Sequence, residues 1–342
     1  MRLLRPLLLA AAAAVLAVAG PAFAQSTPEV TLKIATVAPE GTPWADGLKR
    51  FKTQVETDSG SKIAVRTFLG GVLGDENESV QQCQRGQIQG VGASTGALAS
   101  VVPELAVLEL PYLFASEKEA DYVLDKVILG SVEAAFKSKG LVLGFWSENG
   151  YRVFGSNWAP IKTVADLKGH KMRAQENQVH MEMYRAFGAS PTPIAVTEVL
   201  TSMQTGVVDG WDNTPLFAFA AQWTSATKNM SLTNHIYQPA AIVFNKSWFD
   251  TLSPERQAIL LKARQSLMQE MRDEIRALNP ILIQNLKDMK VNVYTPTAAE
   301  LATFQGPAKT ARDTYMAKAS DGQKKLYTQI QKGIADYRAG KR

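Results

Sequence analysis

The sequence predicts an α/β fold of two lobes with a hinge and a ligand cleft between them. Three observations carry that expectation. β-Branched runs alternate with amphipathic ones in the order strand, helix, strand, helix, the grammar of a mostly parallel sheet covered by helices. The 342 residues make two domains at ~150 residues each. No segment is long and polar enough for a flexible linker, so strand-like crossings must join the lobes as a hinge.

Val30–Val37 reads as the first strand, and Pro39-Glu40-Gly41 as a tight loop. Thr42 then caps a helix with Pro43 at its first position, and Trp44, Leu48 and Phe51 follow at i, i+4 and i+7. Ile63–Leu69 is the next strand. Asp75 caps a helix whose first turn holds Glu76 and Glu78, acids that suit the positive end of its dipole, and Gly86 ends it. Ile88–Val91 and Leu141–Trp146 read as strands.

The second half keeps the grammar without a sequence repeat. Lys171–Gln175 is a strand, Asn177–Phe187 a helix stopped by Gly188, and Pro193–Val196 extended. Thr197 is expected to cap a short helix closed by Gly206. Ser253-Pro254-Glu255 opens the longest helix, with Leu260, Ala263, Leu267, Met271 and Leu278 along one stripe. Running to Pro280 it would be roughly 27 residues, or ~40 Å, too long for one lobe and fit to brace two. The crossings are placed at Asn149-Gly150 and Gln238-Pro239. The expected division is residues 1–24 as a signal peptide, 25–149 with 239–278 as the first lobe, and 150–238 with 279–342 as the second. Ligands of such sheets sit in the crevice beyond the carboxyl ends of the strands.

Composition sets the class. Hydrophobic residues are 46% and charged residues 20%, the range of ordinary globular proteins. The formal charge is +5, with basic and acidic residues interspersed, so nothing points to nucleic acid. Cys83 is the single cysteine, which excludes an internal disulfide and a cysteine-based metal cluster. Arg2 and Arg5 precede the apolar run Leu7–Ala19, Gly20-Pro21 breaks it, and Ala22-Phe23-Ala24 fits a cleavage site. An exported mature chain beginning at Gln25 is expected, in the periplasm.

The stretch Ile161-Lys-Thr-Val-Ala-Asp-Leu-Lys-Gly-His-Lys-Met-Arg173 resembles the P-I-x-x-x-x-D-L-K-G-x-K-x-R block of TRAP (tripartite ATP-independent periplasmic) transporter substrate-binding proteins of the C4-dicarboxylate-binding family. Phe187-Gly-Ala-Ser-Pro-Thr-Pro193, Glu198-Val199 and Met203-Gln-Thr-Gly-Val-Val-Asp-Gly210 match in order, as do Gly71-Val-Leu-Gly-Asp75 and Leu110-Pro-Tyr-Leu-Phe114 upstream. The resemblance implies a two-lobed periplasmic binding protein with a long bracing helix; the residues themselves point to no cofactor and no metal site, and a metal ion bridging the ligand stays open. Such a protein captures an organic acid and delivers it to the small and large membrane subunits of an ion-driven permease. A monomer is expected.

By the same resemblance Arg173 pairs with the ligand carboxylate, Arg152 assists, and Asn213 contacts the same group. The chemistry suits: a guanidinium presents a planar fork of donors that matches a carboxylate and stays charged at any relevant pH. The alternatives are that Arg173 pairs with Asp166 or Glu176, that Arg152 makes a surface salt bridge, and that Asn213 is a turn residue. Trp211 stands where many members carry a smaller side chain, and either walls the pocket or packs in the core. Glu176 is a candidate acceptor for a ligand hydroxyl or ammonium. Thr95 and Trp44 are first-lobe candidates by their place after strand ends, Trp44 sharing a stripe with core residues.

Two other functions compete. A receptor presenting its solute to a sensor protein needs the same cleft. Gly92-Ala-Ser94-Thr-Gly96 matches the G-x-S-x-G elbow of serine hydrolases, and Ser94 would need His170, His180 or His235 as its base. None of the three sits in metal-ligand spacing.

Overall fold

The computed structural model describes residues 27–341. The signal peptide and its cleavage site lie outside the described residues. Nine strands form one sheet: β1 (Val30–Ala35), β2 (Ile63–Phe68), β3 (Gly90–Ser94), β4 (Leu141–Ser156), β5 (Lys171–Ala174), β6 (Ser190–Pro193), β7 (Gly210–Asn213), β8 (Asn229–Asn245) and β9 (Asn292–Tyr294). Their order is β2-β1-β3-β8-β4-β7-β5-β6, with β9 alongside β8. β1 is parallel to β2 and β3, and β5 to β6 and β7, so each end of the sheet is a parallel unit. The antiparallel pair β4 and β8 runs through the middle and joins them.

That pair is the hinge frame. The register between β4 and β8 shifts between Glu148 and Gly150, opposite Pro239 and Gln238. Gly150 has φ +95°, a conformation that favours a residue without Cβ. The two crossings expected from the sequence therefore lie side by side on neighbouring strands. β4 extends ten residues past the expected Trp146, and β8 and β7 were not legible as full strands.

Hydrophobic clusters form on both sides of this frame. In the first lobe Leu32, Phe51, Phe145 and Phe244 pack with Met271 and Ile275, while Leu105, Leu124 and Phe136 form a second cluster. In the second lobe Met172, Met183 and Phe187 form one cluster, and Trp211, Trp223 and Met230 another.

The bracing helix differs from the expectation. It is three segments, Pro254–Leu261, Ala263–Ser266 and Met268–Asp288, and the last carries Pro280 inside it rather than ending there. At the short middle segment Arg264 donates Nε to the Gly144 carbonyl (2.5 Å) and Nη1 to Glu133 (2.6 Å), and it also binds the Leu143 carbonyl. β4 shifts register there, and Arg264 satisfies carbonyls at that irregularity. The brace holds both lobes, since Met271 and Ile275 join the first-lobe core and Leu286 the Trp211 cluster.

Local departures are smaller. The strand expected at Ile88–Val91 runs from Gly90 to Ser94, and that expected at Pro193–Val196 is Ser190–Pro193. Thr197 caps nothing; it lies within the 3-10 turn Val196–Glu198 ahead of the helix Val199–Gln204. Two C-terminal helices close the chain. Ala298–Ala317 packs Phe304 and Ala308 into the second-lobe cluster of Met183 and Phe187. Asp321–Arg338 returns to the first lobe, where Leu326, Ile330 and Ile334 join the Leu105 cluster. Assigning all of 279–342 to the second lobe does not describe the packing of this last helix.

Candidate functional site

The two parallel units turn the carboxyl ends of β1, β3, β5 and β7 toward one internal cavity between the lobes. Ala38, Ser94, Gln175 and Asn213, at or just past those ends, all line it. The lobes meet around it. Gln175 Nε2 donates to Ser94 Oγ (3.0 Å), Asn177 Nδ2 to the Gly96 carbonyl (3.1 Å), and the Val196 N–H to Asp75 Oδ1 (3.0 Å). The cleft is closed.

Arg173, on β5, is 2% exposed and lines the cavity. Its Nε donates to the Ile194 carbonyl (2.9 Å), and its guanidinium lies 5.6 Å from the centre of the Trp223 ring. Among the described residues no carboxylate lies within ion-pair distance of it, so neither Asp166 nor Glu176 is its partner. Asp166 instead accepts from the Lys162 and Thr163 backbone. Burial, and then the charge of Arg152, lower the Arg173 pKa to about 10. A buried cation lacking a counter-ion is costly, and an anion entering the cavity removes that cost.

Arg152, on β4, lines the same cavity and is wired oppositely. Its Nε donates to Asp212 Oδ2 (2.6 Å) and its Nη2 to the Asp212 carbonyl (2.5 Å). Its Nη1 reaches Gln238 Oε1 (2.9 Å) and Gln175 Oε1 (3.3 Å). This is a buried salt bridge rather than the surface one considered from sequence. Burial alone would raise the Asp212 carboxyl, but Arg152, His180 and His235 hold it well below the usual range.

The remaining sequence candidates separate. Asn213 lines the cavity at the end of β7; its Oδ1 accepts from the Thr214 N–H (2.8 Å). Trp44 lines it too, tethered by Nε1 to the Glu148 carbonyl (3.0 Å), and also belongs to the first-lobe core. Trp211 does not line it. Its ring lies against Gly155, where a Cβ would collide with it, and its Nε1 donates to Thr227 (2.9 Å). Thr95 is turned away, its hydroxyl within hydrogen-bond distance of Glu109 (2.8 Å) and the Pro239 carbonyl (3.1 Å) and donating its one proton between them. Glu176 is exposed at the rim and lines an outer groove, accepting from Asn77 of the first lobe (3.3 Å).

Sequence reasoning missed Glu76, Gln175 and Gln238. Glu76 lines the cavity and accepts from Ser94 twice, from the N–H (2.7 Å) and from Oγ (3.0 Å). Burial, opposed by the Ser94 bonds and assisted by Asp75 and Glu109, raises its pKa to about 7.

Ser94 is not set up as a nucleophile. Its hydroxyl donates to Glu76 and caps the short helix that follows by accepting from Ala97 (3.2 Å). His180 is held between Glu109 (2.7 Å) and Asp212 (3.6 Å), His235 bonds Thr233 (2.8 Å), and His170 stacks on Trp158.

Comparison with known proteins agrees with this geometry. The family model described as bacterial extracellular solute-binding protein, family 7, matches residues 34–319. A solute-binding protein of Verminephrobacter eiseniae is 36% identical over 245 residues, 71% of this chain and 72% of that protein. A TRAP periplasmic solute-binding protein of Sulfitobacter sp. NAS-14.1, solved with β-D-galacturonate, superimposes with TM-score 0.84 at 26% identity, covering 88% of this chain and 99% of that one. Another, of Polaromonas sp. JS666 with D-erythronate, gives TM-score 0.82 at 29% identity, covering 88% and 98%.

Proposed function

Since the chain belongs to family 7 of the bacterial extracellular solute-binding proteins, periplasmic subunits that bind small organic acids for TRAP membrane permeases, we propose that it holds its acid through Arg173. It is a transport binding protein, not an enzyme. One observation carries the assignment: Arg173 is a buried guanidinium in a closed cavity, with no counter-ion among the described residues. The carboxylate completes an ion pair that the fold leaves open, and Asn213 supplies a further donor through Nδ2. Arg152 contributes positive potential from behind while remaining bonded to Asp212. Trp44 shapes the first-lobe wall.

The lobes divide at Asn149-Gly150 and Gln238-Pro239 in this reading, with Asp321–Arg338 moving with the first lobe. Closure about the β4–β8 frame desolvates the carboxylate and strengthens its pairing. The chain is processed after Ala24 and acts as a monomer in this reading. Intact mass of periplasmic protein should give a chain starting at Gln25.

The test is a thermal-shift screen of the mature protein against organic acids, followed by calorimetry on Arg173→Ala. Losing the anchor should weaken the binding acid by about 30-fold to several-thousand-fold, equivalent to roughly 2–5 kcal/mol. An Arg173→Ala protein that binds within threefold of wild type removes the anchor.

A further inference from the structure

His180 sits on the second-lobe helix Gln178–Ala186, fully buried, and both of its ring nitrogens face carboxylates. Nε2 is 2.7 Å from Glu109 Oε2, which the first lobe supplies from the end of the 3-10 segment Pro103–Glu109. Nδ1 is 3.6 Å from Asp212 Oδ2 and has no hydrogen-bond partner among the described residues. An ionised carboxylate only accepts, and a neutral imidazole carries one N–H, so one nitrogen would turn its lone pair on a carboxylate oxygen. The imidazolium gives both nitrogens a proton to offer. The charge balance agrees: Glu109 and Asp212 are both buried here, Arg152 offsets one of them, and a charged His180 offsets the other.

The groups around the imidazole have their own partners. His235 and Tyr184 bond Asp212 (3.4 and 2.9 Å). On β5, Arg173 lines the cavity and Lys171 is exposed. Glu104, on the Glu109 segment, lies against Gly322. From the helix Ala298–Ala317, Arg312 donates to the Pro111 carbonyl (2.7 Å) and Lys309 pairs with Asp313; Lys318 at its end pairs with Glu182 (3.4 Å). Burial lowers the His180 pKa, but the contacts with Asp212 and Glu109 outweigh it and raise the pKa overall. Burial pushes Glu109 up, and His180 leads the groups that bring it below its ordinary value.

Among the described residues, Glu109–His180 is the one ion pair that joins the two lobes. The Glu109 carboxylate is fixed on its own side by Thr95 (2.8 Å) and the Gly96 N–H, and Gln238 at the crossing donates to it (3.0 Å). We propose that protonated His180 is an interlobe latch, positioning the second lobe against Glu109 when the cleft shuts, so that closure takes up a proton and is favoured as pH falls. Parting the lobes withdraws Glu109 and leaves the imidazole with Asp212, which Arg152 already neutralises, and the proton is then held less tightly. The latch rests on closure about the β4–β8 frame and is independent of the Arg173 anchor.

Pulsed electron resonance between spin labels at Lys49→Cys and Arg185→Cys, exposed on the two lobes, reads the open and closed populations of the acid-free protein, and Cys83 is buried away from the label. Between about pH 8.5 and 5.5 the closed-to-open ratio should rise about threefold or more, and by no more than about tenfold per pH unit, the limit for one proton. Glu109→Gln, which keeps an acceptor for Thr95 and Gly96, should cut the response below about 1.5-fold, as should His180→Gln. The response should persist in a Glu76→Gln background, which lacks the cavity carboxyl whose pKa burial raises to about 7. In wild type, imidazole NMR of the three histidines should place the His180 titration at the midpoint of the population shift, a check that needs neither latch variant to fold. Two populations in a ratio unchanged by pH overturn the latch, as does a response that survives both latch variants or vanishes with Glu76→Gln. A single interlobe distance at every pH overturns closure itself and the latch with it.

Discussion

The floor of the cavity around Arg152 and its second-lobe wall around Arg173 hold the same functional group in the same degree of burial, and only one of them is finished by the fold. Arg152 has Asp212, Gln175 and Gln238 as partners. Arg173 has a backbone carbonyl and the face of Trp223. The fold neutralises the first guanidinium, and among the described residues no carboxylate neutralises the second. The hinge side repeats the finished kind: Arg272 is held by Asp125 (2.7 Å), and Arg276 bridges Asp121 (2.8 Å) and Glu148. A buried charge reveals a binding site only when the protein does not neutralise it.

The sharpest way to break this contrast is Arg152→Ala. It leaves Asp212 buried beside His180 and His235 without its guanidinium, so denaturant unfolding should show a loss of about 3–5 kcal/mol. An Arg152→Ala protein as stable as wild type would place the two arginines in one class. Next in size is Glu76→Gln in the empty protein. The Glu76 pKa is raised in the fold, so its stabilising contribution is full below about pH 4.5 and lost as pH rises through about 7. At pH 8 the glutamine variant should be more stable by up to about 3 kcal/mol, with the difference disappearing near pH 4. Arg173→Lys should lower affinity for the bound acid by about tenfold or more, because a point charge cannot reproduce the fork. The same change in the empty protein should lower stability by no more than about 1–2 kcal/mol, the loss of the Nε bond to the Ile194 carbonyl, since no ion pair is broken. Smallest is Glu176→Gln: with its carboxylate at the rim, affinity measured by calorimetry should move by less than about 1 kcal/mol.

How much of this was readable from the chain differs by kind of residue. The place of Arg173 and Asn213 in the cavity was legible because they sit in local blocks whose order is shared with a family. The start of the bracing helix was legible because Ser253 and Pro254 are local signals, and its ending was not. Pro280 stops an isolated helix, but in this fold the helix continues through it to Asp288. Glu76 was read as an acid suited to a helix start, and nothing nearby in sequence reveals that β3 brings Ser94 to meet it. Gln175 and Gln238 acquire roles only when β4, β5 and β8 converge. Trp211 was left between pocket wall and core for a related reason. The partner that receives its ring is Gly155 on the neighbouring strand, 56 positions earlier, and spacing within Asp209–Asn213 carries no trace of it.

The last helix changes what kind of motion the molecule is capable of. The chain passes between the lobes along β4, along β8, through the Met268–Asp288 helix and again between Ala317 and Asp321. Two bodies joined by one flexible strap rotate about any axis. Each further strap at a different position removes freedom, and these four leave rotation about the line of the β4–β8 crossings as the soft coordinate. Opening about those crossings, as proposed above, would follow a single arc. Along it the contacts of Asp75 with Val196 and of Asn77 with Glu176 part together, giving the solute one doorway for arrival and for release.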